Sequence, residues 1–64
     1  MSLNTEPNLA EPDDFYEHLL LMHQGLSEEQ SRLVNAKLIL ILANHIGNME
    51  VLREAMATAR AGVE

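Results

Sequence analysis

Hydrophobic residues recur every three to four positions along most of this chain, and nowhere do they alternate with polar ones. Phe15, Leu19 and Met22 show the pattern first, at the spacing of one helix face. Before them the chain holds both of its prolines and has no such period. The pattern predicts an irregular N-terminal arm over residues 1–12 and one all-α domain over residues 13–62.

Glycines divide the domain into helices of about 13–24, 28–46 and 49–60. Gly25 and Gly47 follow the first two helical patterns directly, and glycine readily takes the left-handed conformation that ends a helix. The connections are too short for anything but close neighbours in space. We therefore expect a small three-helix bundle, or helical hairpin, with a long central helix.

Capping residues stand where each helix is expected to begin. Asp14 and Glu17, and Ser27 and Gln30, have the spacing of a capping box, in which two side chains bind the free amides of the first turn. Asn48 has the right side chain to cap the third helix. The sequence thus predicts a side-chain cap at every helix start.

The second half of the central helix is apolar nearly all round, whereas a helix in a small bundle needs an apolar arc on one side. A small chain covers two sides of that helix at most, and exposed apolar patches usually mark an interface. We therefore expect a symmetric homodimer. The interface is predicted to consist of Leu21, Ile39, Leu42 and Ile46.

An alternative leaves the protein monomeric. The arm would fold over the central helix, with Leu3 or Leu9 filling the exposed side. The sequence does not decide between an arm that covers this face and a second protein that does.

The third helix is expected to face the core through Met49, Leu52, Met56 and Ala59, which share one helix face. Methionine is flexible and fills irregular gaps between helices. Its presence here favours core packing over a recognition surface.

The net charge of −6 and a pI of about 4.8 argue against binding nucleic acid or anionic membranes. Residues 1–31 hold seven acids and no Lys or Arg, and most of these acids fall in first helical turns, where they complement the helix dipole. The alternative is an acidic docking face for a basic partner. Two helical ion pairs are predicted, Glu28–Arg32 and Glu50–Arg53.

Catalytic constellations are missing from the sequence. The chain has no cysteine, no nucleophile elbow and no glycine-rich phosphate loop. His18 and His23 are five residues apart and point in different directions from a helix, and His45 stands alone. We expect a non-catalytic protein without metal or cofactor. The alternative is a small-ligand or metal-binding subunit that contributes His23, His45 and Tyr16 to a composite site.

No targeting pattern is visible at the start of the chain, which has neither a basic stretch nor an apolar one. The longest apolar run, Leu38 to Ala43, is far shorter than the roughly 20 residues that span a bilayer. We expect a cytoplasmic protein.

Three blocks of sequence carry a resemblance to a known family: Asp13–Glu17, Gly25–Ser31 and Leu42–Gly47. From about Leu9 to Gly62 the chain resembles very small proteobacterial proteins classed as a domain of unknown function. The resemblance implies that members are encoded near flavin-dependent aromatic hydroxylases, and hence an accessory or regulatory partner of such an oxidoreductase. It implies no catalytic residues. The function expected is a helical interaction module that forms a homodimer and docks onto a larger protein.

Overall fold

The computed structural model describes residues 2–63, which form helices and loops without any strand. Helix α1 runs over Pro12–His23, α2 over Glu28–Ile46 and α3 over Met49–Arg60. The predicted all-α class is therefore confirmed for this part of the chain. None of its helices is long and apolar enough to cross a membrane.

Local hydrogen bonds fix both ends of α2. The predicted capping box is present: Ser27 Oγ accepts from the Gln30 N–H at 3.1 Å, and Gln30 Oε1 accepts from the Ser27 N–H at 3.0 Å. At the other end Gly47 adopts a φ of 67°, and its N–H donates to the Ala43 carbonyl at 2.9 Å. A residue with a Cβ would be strained in that left-handed conformation. The sequence around each end thus sets the length of α2.

The start of α1 differs from the prediction. Pro12 is the first helical residue and Glu11 the N-cap, without a side-chain cap, so the expected Asp14–Glu17 capping box is wrong. Proline suits the first helical position because its φ is already helical and it has no N–H to satisfy. Asp14 consequently lies inside the first turn, and α1 ends one residue early, at His23.

The start of α3 agrees with the prediction. Asn48 Oδ1 accepts a hydrogen bond from the Val51 N–H at 3.0 Å. Only Gly47 and Asn48 separate α2 from α3. So short a link leaves α3 little freedom to rotate about its own axis.

The inward face of α3 is not the predicted one. Val51 is buried and Ala55 and Leu52 are half-buried, whereas Met49 and Met56 are more than half exposed. The expectation that the methionines fill the core is wrong for this helix. We attribute the difference to the two-residue link between α2 and α3. The link limits how far α3 can rotate about its axis, so the position of a residue relative to the link outweighs the size of its side chain.

One of the two predicted ion pairs is present. Arg32 Nη1 lies 3.8 Å from Glu28 Oε1, one helical turn away. The Glu50–Arg53 pair does not form within residues 2–63, and its prediction is wrong. An exposed ion pair stabilises a helix by at most about 1 kcal/mol, because water competes for both charged groups.

The helices of one copy are splayed apart. Val51, at 9% exposure, is the one buried residue among residues 2–63, and no two of the helices there pack side by side along their length. The radius of gyration is 13.5 Å, against about 11 Å for a compact domain of this length. The close packing expected of a three-helix bundle is not seen in a single copy.

Candidate interaction surface

The residues predicted to form an interface all have large exposed fractions. Each of the four aliphatic side chains is between 46% and 61% exposed. Three lie on α2 at spacings of three and four residues, so they share a face. Exposed aliphatic surface is unfavourable in water by about 25 cal/mol per Å². We call this set the apolar surface: Leu21, Ile39, Leu42 and Ile46.

The exposed apolar area of α2 is wider than the sequence suggested. Leu33, Leu40 and Ile41 are each more than half exposed. Val34 and Leu38, by contrast, are half-buried and mark the inward side of the helix. Three of the large aliphatic residues of α2 were therefore missed, because the sequence does not show which stripes α1 and α3 will cover.

A seven-residue repeat was the available signal for the missed side of α2. Leu33, Ala36, Leu40 and Ala43 follow one another at spacings of three, four and three residues. Alternating spacings of this kind form the seam of a coiled coil. The two alanines leave room for a second helix backbone to approach closely. The outward face of α2 therefore has the side chains that a helix partner requires.

The N-terminal arm does not cover the apolar surface. The Leu3 N–H donates to Glu54 Oε2 at 3.0 Å, which ties the arm to α3. Leu3 is half-buried there, but Leu9 is 57% exposed. The interpretation of the arm as a cover for the central helix is wrong, since Ile39, Leu42 and the other members of the apolar surface stay exposed.

A groove of about 460 Å³ runs between the end of the arm and the start of α1, open to solvent. Three of its six lining residues are apolar and two are acidic. An open groove of this kind excludes little water from a small molecule, so it lacks the enclosure typical of ligand sites. The lining residues are Leu9, Ala10, Glu11, Asp14, Phe15 and His18.

The three histidines have different local environments. His18 Nδ1 donates to the Asp14 carbonyl oxygen at 2.8 Å, and the His18 side chain is exposed. His23 is half-buried at the end of α1, while His45 and Tyr16 are exposed. Within the described part of the chain, no group of three or more His, Asp or Glu residues could hold a metal ion. The composite site remains a prediction from the sequence.

Fold and surface together define a small all-α protein with little core and much exposed apolar side chain. Residues 3–61 match the family described as "Protein of unknown function (DUF2783)". The chain therefore belongs to this family, and the match includes all three blocks that carried the resemblance. No curated protein and no solved structure matches the chain.

Proposed function

We propose that this chain is a non-catalytic interaction module whose folded state is completed by a second copy of itself. The observation that carries the proposal is the nearly missing core: Val51 is the one buried residue among residues 2–63. The chain exposes 5807 Å². A folded monomer of 7.2 kDa is expected to expose about 4,100 Å². Roughly 1,700 Å² is therefore in excess.

Energetics support an assembly. Ordering a residue costs about 1–2 kcal/mol in backbone entropy, and each buried aliphatic side chain returns about 1.5–3 kcal/mol. One buried valine and a few half-buried side chains, such as Val34 and Leu38, offset little of the cost of ordering three helices. Over two copies, the excess area falls in the range of obligate homodimers, roughly 2,000–5,000 Å² in total. A second copy is therefore the source of the missing stabilisation.

The apolar surface is where we place the two-fold contact. In a symmetric dimer the same surface of each copy contacts that of the other, so Ile39 and Leu42 would be buried in both copies. Ala36 and Ala43 lie on the adjacent side of α2 and allow the helix pair to approach within about 8–10 Å. The packed helical bundle predicted from the sequence is then a property of the dimer, with helices contributed by both copies.

Mass in solution tests the homodimer directly. Light scattering from about 100 µM to 1 µM is expected to give the dimer mass at the upper end, with full helicity by circular dichroism. A dimer that depends on association to fold loses mass and helicity together on dilution. A folded, fully helical monomer across the whole range would contradict the proposal.

We further propose a cytoplasmic role as the accessory partner of an oxidoreductase in aromatic-compound metabolism. The support is the resemblance to proteobacterial proteins encoded near flavin-dependent aromatic hydroxylases. A tagged chain expressed in its source cells is expected to co-purify with a flavin-dependent hydroxylase. Failure to bind that purified hydroxylase, with no change in the hydroxylation rate, would contradict this role.

A further inference from the structure

The outward face of α3 alternates methionine and arginine. Met49, Arg53, Met56 and Arg60 follow at spacings of four, three and four residues, which places them in one line along the helix. All four are exposed, and neither arginine forms an ion pair within residues 2–63. We call this line the Met–Arg stripe. It combines adaptable apolar side chains with two positive charges that lack a carboxylate partner in that part of the chain.

The outward face of α1 has the opposite charge. Asp13, Tyr16, Glu17 and Leu20 share that face, and all are exposed. Helices α1 and α3 are equal in length, at 12 residues each. In a single copy they do not pack along one another. We call this set the acidic α1 face, and within residues 2–63 no helix lies along it.

We propose that the Met–Arg stripe of one copy binds the acidic α1 face of a second copy, an inference that rests on the proposed homodimer. The charges of the chain are unevenly divided: residues 1–31 carry seven acids and no Lys or Arg, and residues 32–64 carry all four bases with three acids. A two-fold axis makes such a contact twice. The four side chains of the apolar surface also cover only part of the roughly 1,700 Å² of excess area, so the dimer needs a further contact.

The charges favour an antiparallel arrangement of the two helices. Antiparallel pairing sets the basic end of α3 beside the acidic start of α1, with Arg60 opposite Asp13 and Arg53 within reach of Glu17. The two helix dipoles are then antiparallel, so the negative C-terminal end of α3 lies beside the positive N-terminal end of α1. The flexible side chains of Met49 and Met56 can then pack against Tyr16 and Leu20 of the acidic α1 face.

Charge reversal on α3 tests the contact. Arg53→Glu is expected to raise the dimer dissociation constant about tenfold, because two attractive pairs become two repulsive ones. The matched control is Lys37→Glu, which makes the same change in net charge at an exposed position inside α2. The control is expected to dimerise like the wild type. Sedimentation velocity over a dilution series measures both. Equal dissociation constants for the two variants would overturn the proposal.

Mixing two variants shows whether the contact lies between chains. Glu17→Arg alone is also expected to weaken the dimer, because two positive charges then face each other. An equimolar mixture of Arg53→Glu and Glu17→Arg chains is expected to form heterodimers of wild-type affinity, since every charge again meets its opposite. Native mass spectrometry identifies the heterodimer through the different masses. If both variants are weakened and mixing restores nothing, the contact is within one chain and the proposal fails.

The outcome separates this inference from the proposed function. If Arg53→Glu and Lys37→Glu are both wild-type dimers while Ile39→Glu dissociates, the homodimer stands and the α1–α3 contact is wrong. If the wild-type chain is itself a folded monomer, the homodimer fails and the contact fails with it.

Discussion

Ile39→Glu is expected to abolish the dimer at concentrations near 10 µM and to lower the helical signal with it. Ile39 is 61% exposed in one copy and would be buried in two. Replacing both Ile39 side chains makes the free energy of dimerisation less favourable by about 1.5–3 kcal/mol for each of them. Burying the two new carboxylates would weaken the dimer further. The dissociation constant should therefore rise at least 100-fold, since about 1.4 kcal/mol corresponds to a factor of ten. Light scattering and far-ultraviolet circular dichroism on the same samples measure both effects.

Leu9→Glu is the matched control for that variant. Leu9 is 57% exposed and lies in the N-terminal arm rather than in α2, and the substitution introduces the same charge. It is expected to keep the wild-type mass and helicity. Glutamate has a higher helix propensity than isoleucine, so lost helicity in Ile39→Glu would come from lost association. An unchanged dimer mass for Ile39→Glu would place the interface elsewhere.

Thermal unfolding is expected to depend strongly on protein concentration. If the dimer unfolds directly to two chains, dilution from 100 µM to 1 µM lowers its stability by about 2.7 kcal/mol. An unfolding entropy of about 2.1 cal/mol/K for each residue of both chains converts this into a fall of about 10 °C in the unfolding midpoint. Circular dichroism at 222 nm over a series of path lengths covers the range.

A tandem fusion of two copies supplies the control for the melting series. A long Gly/Ser linker between the copies makes the association intramolecular, so the midpoint should no longer change with concentration. A wild-type midpoint that is likewise independent of concentration would mean that one copy folds alone, and the proposal of an obligate dimer would be wrong.

Helix ends were predictable because their hydrogen bonds join residues close in sequence. Ser27 with Gln30, and Asn48 with Val51, each act across three residues, and Gly47 ends α2 through its own backbone conformation. The start of α1 was missed for a reason that is also local. Pro12 suits the first helical position so well that the helix begins there without a side-chain cap.

The orientation of each helix was less predictable, since it depends on contacts distant in sequence. Met49 and Met56 formed the more hydrophobic stripe of α3 by pattern, yet Val51 is the residue that turns inward. The pattern of α2 predicted surplus apolar surface but not its width, because it does not show which sides of α2 the other helices cover, and Leu33 and Leu40 remain exposed. Periodicity shows which residues share a face, and chain connectivity decides where that face points.

The lone burial of Val51 also bears on how long a copy would last in a cell. Proteases cleave chains that open often, and the rate follows the population of the open form when opening and closing are fast. A single copy with one buried side chain among residues 2–63 has little core to stabilise its closed form until it binds a second copy. Newly made chains would therefore be degraded quickly at low abundance and protected once paired. The level of the protein would then rise more steeply than its rate of synthesis, so that cells hold either very little of it or a stable pool.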